Sequence, residues 1–234
     1  MQPIESPGTV RELSERPGLA PALFPSPQGG AVPPGAVSSG DGQAAPRTPA
    51  RAAVLRLALP KGRMQAGVEG LLRAAGIPLS IGERGYRPRV GLPGVQSKLL
   101  KPQNIVEMLD LGSRDAGFAG ADWVRELGAD LVELVDTGLD PVRIVAAAPP
   151  ELAEDPAWRR RRGLIVASEY ARLTAAWIET TGLSARFLRT FGATEVFPPE
   201  DADLIVDNSA SGATLEANRL VELDELMRST TRLY

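Results

Sequence analysis

The chain has 234 residues, 43% of them hydrophobic and 24% charged, which predicts one or two globular domains with a buried core. A formal net charge of −3 argues against a general attraction for nucleic acid, and no apolar run approaches the ~18 residues of a membrane span, so neither partner is expected. With no cysteine and no histidine, disulfides, thiol chemistry and the usual general base are excluded, and any chemistry must run on carboxylates, Lys, Arg, hydroxyls and backbone dipoles.

Residues 1–51 form a segment apart, with ten Pro and seven Gly in the first fifty positions. That is the composition of a disordered extension; the alternative is a start assigned too early, because folded-type sequence begins abruptly at Ala52. No apolar stretch with a basic flank and small-residue cleavage site marks a secretory signal, and a cytoplasmic protein is expected. From Ala52 onward the periods alternate. A strand is predicted over 54–59, then a helix over 64–75 with Val68, Leu71, Leu72 and Ala75 on one face and Gly76 closing it. Pro102 suits a first helical position, and Ile105, Val106, Leu109 and Leu111 carry that helix to Gly112. A strand over 116–119, a helix over 121–127 and strands over 131–135 and 142–147 follow. Pro149, Pro150 and the polar stretch to Arg162 break the pattern, with Arg159 to Arg162 read as a solvated edge. It restarts with a strand over 164–167, a helix over 169–181 capped by Gly182, and strands over 185–188 and 204–206. Phe118, Trp158, Trp177 and Phe187 read as packing residues. Repeated β-then-α order predicts mainly parallel sheets with ligands at strand carboxyl ends, and the central break predicts two lobes with a cleft.

The last predicted strand ends on Asp207 and opens into Asn208, Ser209, Ala210, Ser211, Gly212, Ala213 and Thr214. A loop of small residues leading into a helix lets backbone N–H groups converge on an anion. Asp207, where strand becomes loop, is placed to accept ribose hydroxyls or to help hold hydrated Mg²⁺. The plain alternative is an ordinary strand, turn and helix whose glycine serves only the turn.

Several segments taken in order resemble the ATP phosphoribosyltransferase family: Leu57-Ala58-Leu59-Pro60-Lys61-Gly62-Arg63, Lys101-Pro102-Gln103-Asn104-Ile105, Asp115-Ala116-Gly117-Phe118-Ala119-Gly120-Ala121-Asp122, Gly192-Ala193-Thr194-Glu195 with Pro198, and Asp207 through Leu220. The resemblance spans 52–234. It implies a two-lobed, periplasmic-binding-protein-like (type II) α/β fold with mainly parallel sheets and a central cleft: lobe I over 52–144, lobe II over 145–211, and a return to lobe I over 212–234. It implies a reaction of histidine biosynthesis, in which N1 of the ATP adenine attacks C1 of phosphoribosyl pyrophosphate and releases pyrophosphate with Mg²⁺ present. The 5-phosphate would then lie on Ser209, Ala210, Ser211, Gly212, Ala213 and Thr214, with Asp207 on the ribose or metal. Lys61 and Arg63, flanking Gly62, would contact phosphate or pyrophosphate, the catalytic trio being Lys61, Arg63 and Asp207. ATP contacts fall to Lys61, Gly62, Arg63, Asp122, Arg143 and Glu195. For three of these other readings stay open: Asp122 as a helix-start residue favoured by the dipole, Arg143 as an ion-pair partner, and Glu195 as an exposed loop carboxylate.

The chain departs from the family pattern at Asn208, Ser209, Ala210 and Ser211. Arg219 stands where the family usually has Gly, which is awkward for Arg if φ is positive. Ending at Tyr234, the chain resembles the short form, which implies a regulatory subunit resembling histidyl-tRNA synthetase in a hetero-oligomer. A catalytically weakened regulatory homologue and a noncatalytic two-lobe binding module are the rival readings.

Overall fold

The computed structural model describes residues 54–82 and 85–234, and the expected extension or early start over 1–51 lies outside them. β1 (Leu55–Pro60) is buried from Leu57 to Pro60, because parallel β4 (Val95–Leu100) and β5 (Ala116–Gly120) flank it and a strand in the middle of a covered sheet reads as one apolar run. Between β1 and β4 come α1 (Arg63–Ala74) and a hairpin of β2 (Leu79–Ser80) with β3 (Arg89–Val90). α1 buries Met64, Val68 and Leu72, spaced i, i+4, i+8 along one stripe, whereas Leu71, expected on that face, is 37% exposed at its edge. Gly76 takes φ 75, and the amides of Gly76 and Ile77 donate to the carbonyls of Arg73 and Leu72, the pattern of a left-handed helix stop. α2 (Pro102–Asp110) connects β4 to β5, and α3 (Ala121–Leu127) follows directly.

β6 (Val135–Ala148) replaces the two separate strands expected over 131–135 and 142–147. Residues 131–134 are outside it, and the break between the two predictions is internal: Asp140 takes φ 49 before Pro141, at a register shift in the pairing with β10, the kind of irregular position where proline is tolerated within a sheet. After α4 (Pro150–Ala153) and a 3₁₀ turn, the second half adds β7 (Arg162–Ser168), α5 (Ala171–Thr181), β8 (Ser184–Arg189), β9 (Leu204–Ser209) and α6 (Ala213–Ala217). β10 (Val221–Leu233) closes the chain as a long strand antiparallel to both β5 and β6.

The eight-stranded sheet has the order β4-β1-β5-β10-β6-β9-β7-β8. Its flanks are parallel and its centre, β5-β10-β6-β9, is antiparallel. Apolar side chains divide accordingly. Leu57, Leu59, Val68, Leu72, Leu99 and Phe118 cluster on one side of the first half, and Ala58, Ile105, Val106, Ala119 and Tyr234 on the other. In the second half, Ile144, Trp158, Leu164, Tyr170, Trp177 and Leu204 form one cluster, and Val145, Ala147, Ile205, Leu215 and Leu220 another. These are two α/β halves joined by the crossing pair β6 and β10, the two-lobed α/β fold expected from the sequence. Leu215 and Leu220 pack with the second half, so the chain returns to the first along β10 rather than at residue 212. Phe118, Trp158 and Trp177 are buried as expected, while Phe187 is 37% exposed. Arg159 pairs with Asp224 and Arg161 with Asp155 on the solvated edge.

Candidate functional site

The carboxyl ends of β1 and β5 in the first half, and of β7 and β9 in the second, border one cleft, the place where open α/β sheets bind ligands. Two hollows fill it. The larger, about 350 Å³, is bounded by Lys61, Arg63 and Asp122 from the first half, Asp140 and Thr231 from the crossing strands, and Tyr170 and Asn208 from the second half. The smaller, about 120 Å³, is formed by Glu195, Asp207 and the whole loop from Asn208 to Leu215, with Arg63 on its far wall. Arg63 and Asn208 belong to both, so the basic tip after β1 faces the small-residue loop after β9 across a shared space.

The basic tip is set by backbone geometry. The Lys61 amide donates to the Leu100 carbonyl at 2.9 Å, extending the β1–β4 ladder by one residue. Gly62 then turns with φ 83 and ψ −144, a conformation open to glycine and strained for other residues, and Arg63 opens α1. The Lys61 ammonium lies 5.5 Å from the Tyr86 ring centroid, within range of a cation–π contact.

On the facing side, Gly212 takes φ 85 and caps α6. The first amides of a helix have no intrahelical acceptor, and Gly212, Ala213, Thr214 and Leu215 all line the smaller hollow. The Ser209 hydroxyl is buried without a hydrogen-bond partner among the described residues, an arrangement that is costly until a ligand or water supplies one. Asp207 accepts from the Asn208 amide at 2.6 Å and from the Asn208 side chain at 3.1 Å. Burial, joined by the nearby carboxylates of Glu195 and Glu169, pushes its pKa up to about 6 against the opposing bonds from Asn208. A carboxylate so placed is stabilised by a cation or by further hydrogen-bond donors.

The floor of the larger hollow is a buried polar knot. Asp122 accepts from the Tyr170 hydroxyl at 2.8 Å and from the Ser229 hydroxyl at 2.6 Å, while its own amide donates to the Ser229 oxygen at 3.0 Å. Its carboxylate folds back over Gly120, where an added methyl would collide with it; this is the packing reason for the glycine in Gly120-Ala121-Asp122. Trp123 stacks on Tyr170 at 4.7 Å, and Glu126 accepts from the amides of Arg172 and Leu173 at the start of α5. The knot and this cap tie α3 of the first half to the second.

Of the sequence-derived residues, Lys61, Arg63, Asp122, Glu195, Asp207 and the loop Ser209, Ala210, Ser211, Gly212, Ala213 and Thr214 all reach the two hollows. Gly62 shapes the tip without lining either. Arg143 lines neither: it is ion-paired with Glu222 and Glu225 across the β6–β10 ladder, because it lies on the opposite face of β6 from Val142, which does border the larger hollow. Asn208, Asp140, Tyr170 and Ser229 were not among the expected site residues. Asn208 had a signal, as the polar departure beside Asp207; the other three depend on the pairing of β6, β10 and β7.

Among the described residues no three His, Cys, Asp or Glu side chains gather as a metal cage. Asp207 with Glu195 beside it instead suits Mg²⁺, which keeps several waters and takes one or two carboxylates together with substrate phosphates. No helix among the described residues is long and apolar enough to cross a membrane.

Comparison with known proteins identifies the family. Proteins called ATP phosphoribosyltransferase from Chlorobium phaeovibrioides and Chlorobaculum parvum are each 35% identical over 185 residues, or 77% of this chain and 63% of their own length. The chain thus matches a little under two thirds of these relatives. A solved ATP phosphoribosyl transferase (HisG:HisZ) complex from Thermotoga maritima superposes with a TM-score of 0.67 at 26% identity, covering 77% of this chain and 86% of that one. The family described as HisG, ATP phosphoribosyltransferase, matches residues 101–234, more than half the sequence and everything from α2 to the end of β10. The chain belongs to the ATP phosphoribosyltransferase family.

Proposed function

We propose that the cleft carries out the first step of histidine biosynthesis, joining N1 of ATP adenine to C1 of 5-phosphoribosyl 1-pyrophosphate with release of pyrophosphate. The observation that carries this reading is the shared wall: Arg63 and Asn208 border both hollows, so an anion on the α6 loop and a nucleotide in the larger space would lie side by side. The C1–N1 bond forms as the C1–O bond to pyrophosphate breaks. Positive charge develops on the sugar and negative charge on the departing group, a transition state that needs placement and electrostatic stabilisation rather than a strong base.

In this reading the amides from Gly212 to Leu215 and the hydroxyls of Ser209, Ser211 and Thr214 hold the 5-phosphate. Asp207, ionised at neutral pH, receives the ribose hydroxyls. Lys61 and Arg63 hold pyrophosphate as point charge and planar fork. Mg²⁺, when bound through the substrate phosphates with Asp207 and Glu195 nearby, would neutralise charge on the leaving group. Asp122 keeps the floor of the adenine-side hollow in place through Tyr170 and Ser229 rather than by contact with substrate.

The protein of the Thermotoga complex is paired with HisZ, and we propose a regulatory subunit of that kind as the partner here, in a hetero-oligomer within the cytoplasm. The test is pyrophosphate release and phosphoribosyl-ATP formation by the purified chain, alone and with a candidate partner, in the presence of ATP, phosphoribosyl pyrophosphate and Mg²⁺. Product in either assay is the expected result; none in both, with a folded protein, would contradict the reading and favour the weakened regulatory homologue.

A further inference from the structure

The first half holds another hollow, at the opposite ends of its strands from the cleft. Its volume is about 530 Å³, and Arg87, Arg89, Lys98 and Arg114 line it together with Val90 and Val95. Val95 pairs with Leu55 at the start of β1 and Arg114 precedes β5, whereas the cleft lies beyond Pro60 and Gly120. Among the described residues no carboxylate lines this hollow. Among the described residues none of the four cations is in an ion pair, although Arg56, Arg143, Arg159, Arg161, Arg228 and Arg232 all are. The acid next in sequence, Asp115, has both oxygens engaged by Arg56. The Arg114 Nε–H is buried with no acceptor, a donor whose desolvation goes uncompensated until an anion meets it. One wall is held in place: the Ser97 hydroxyl donates to the Pro88 carbonyl at 2.5 Å, and the Leu99 amide donates to the Tyr86 carbonyl at 2.8 Å, fastening the segment of Arg87 and Arg89 to β4.

We propose that this hollow is a second anion site, separate from the transferase cleft, that binds a small molecule carrying two or more phosphate groups. Four positive charges around one space exceed what a single phosphate or carboxylate answers, and arginine forks match phosphate oxygens in pairs. The volume lies within the ~300–1,000 Å³ of small-molecule sites. The chain's negative net charge works against a long nucleic-acid polyanion.

The test is calorimetric titration of inorganic tripolyphosphate into the full chain at physiological salt, comparing wild type with R89Q/K98Q, with R114K, and with R186Q/R189Q, which removes two exposed charges from β8. Wild type is expected to take up one equivalent more than R89Q/K98Q, and R186Q/R189Q to match wild type. R114K keeps the charge but loses the buried Nε–H, and is expected to weaken this class of site at least fivefold. Equal stoichiometry in wild type and R89Q/K98Q, an equal loss in R186Q/R189Q, or an R114K affinity like that of wild type would each overturn the proposal. Because the readout is a difference of one equivalent, an outcome in which the cleft itself binds nothing leaves this comparison intact.

Discussion

Asp122 and Asp207 border neighbouring hollows of one cleft, yet Asp122 is held by the hydroxyls of Tyr170 and Ser229, whereas among the described residues Asp207 has only its neighbour Asn208 as a donor and two further carboxylates close by. The first acid is part of the architecture. The second is kept ionisable in a place that folding alone would leave apolar or neutral, and that is where a cationic or hydroxyl-bearing substrate changes the balance. Proximity to a cleft therefore does not identify a binding carboxylate; what distinguishes it is a hydrogen-bonding capacity that the fold leaves open.

The contrast is sharpest in catalysis. Asp207→Asn is expected to lower kcat/KM by about 10²-fold or more, the scale of losing a key electrostatic contact in a transition state, and steady-state pyrophosphate release would measure it; a loss below threefold would break the comparison. Asp122→Asn is expected to act on the fold, lowering stability by about 1–3 kcal/mol because a buried hydroxyl of Tyr170 or Ser229 loses its acceptor, as read by urea denaturation.

Stability against pH separates the two acids further. The folded pKa of Asp207 is raised from 3.8 to about 6, so its ionised form opposes folding above pH 6 and that opposition disappears as pH falls below about 4. Asp207→Asn is therefore expected to be more stable than wild type at pH 7 by about 1–2 kcal/mol after allowance for solvent screening, with the difference vanishing near pH 4. Activity runs the other way, declining as pH falls through 6 and Asp207 gains its proton.

The smallest effect concerns α6, the helix that follows the loop after β9. α1 ends on Gly76, α3 on Gly128 and α5 on Gly182, each with positive φ, but α6 ends on Arg219 at φ 55. The amides of Arg219 and Leu220 donate to Glu216 and Leu215, the same left-handed stop imposed on a side chain that strains it. Arg219→Gly is expected to raise stability by about 0.5–1 kcal/mol, seen as a higher Tm with kcat/KM within twofold; a lower Tm would show that Arg219 makes a contact outweighing its strain.

Much of this was legible in the sequence, for physical reasons. β1, β5, β7 and β9 are short, apolar and bounded by turn formers, so their existence and order followed directly, and the tip and loop at their ends came with them. β10 did not show itself. Register shifts between Glu222 and Asp224 and between Glu225 and Met227 insert extra residues, so the neighbours Leu226 and Met227 both pack against the core while Glu225, two positions from Leu223 and Met227, is exposed, which breaks the alternation by which a strand is recognised. β4 was hidden by the polar residues Gln96, Ser97 and Lys98 at the sheet edge. With β10 unread, Ser229 and Thr231 could not be placed, and the knot that holds Asp122 was out of reach: Tyr170 and Ser229 lie 48 and 107 positions from it. The unanswered charge of Asp207 depends on what the fold leaves out around it, which local sequence does not encode.

Calorimetric titration of phosphoribosyl pyrophosphate with Mg²⁺ into wild type, Asp207→Asn and Asp122→Asn tests the central claim most directly. One equivalent bound by wild type, at least tenfold weaker binding by Asp207→Asn, and binding within threefold of wild type by Asp122→Asn are predicted. Undiminished binding by Asp207→Asn would contradict the account, because the sugar phosphate would then be held without the carboxylate that the loop after β9 presents to it.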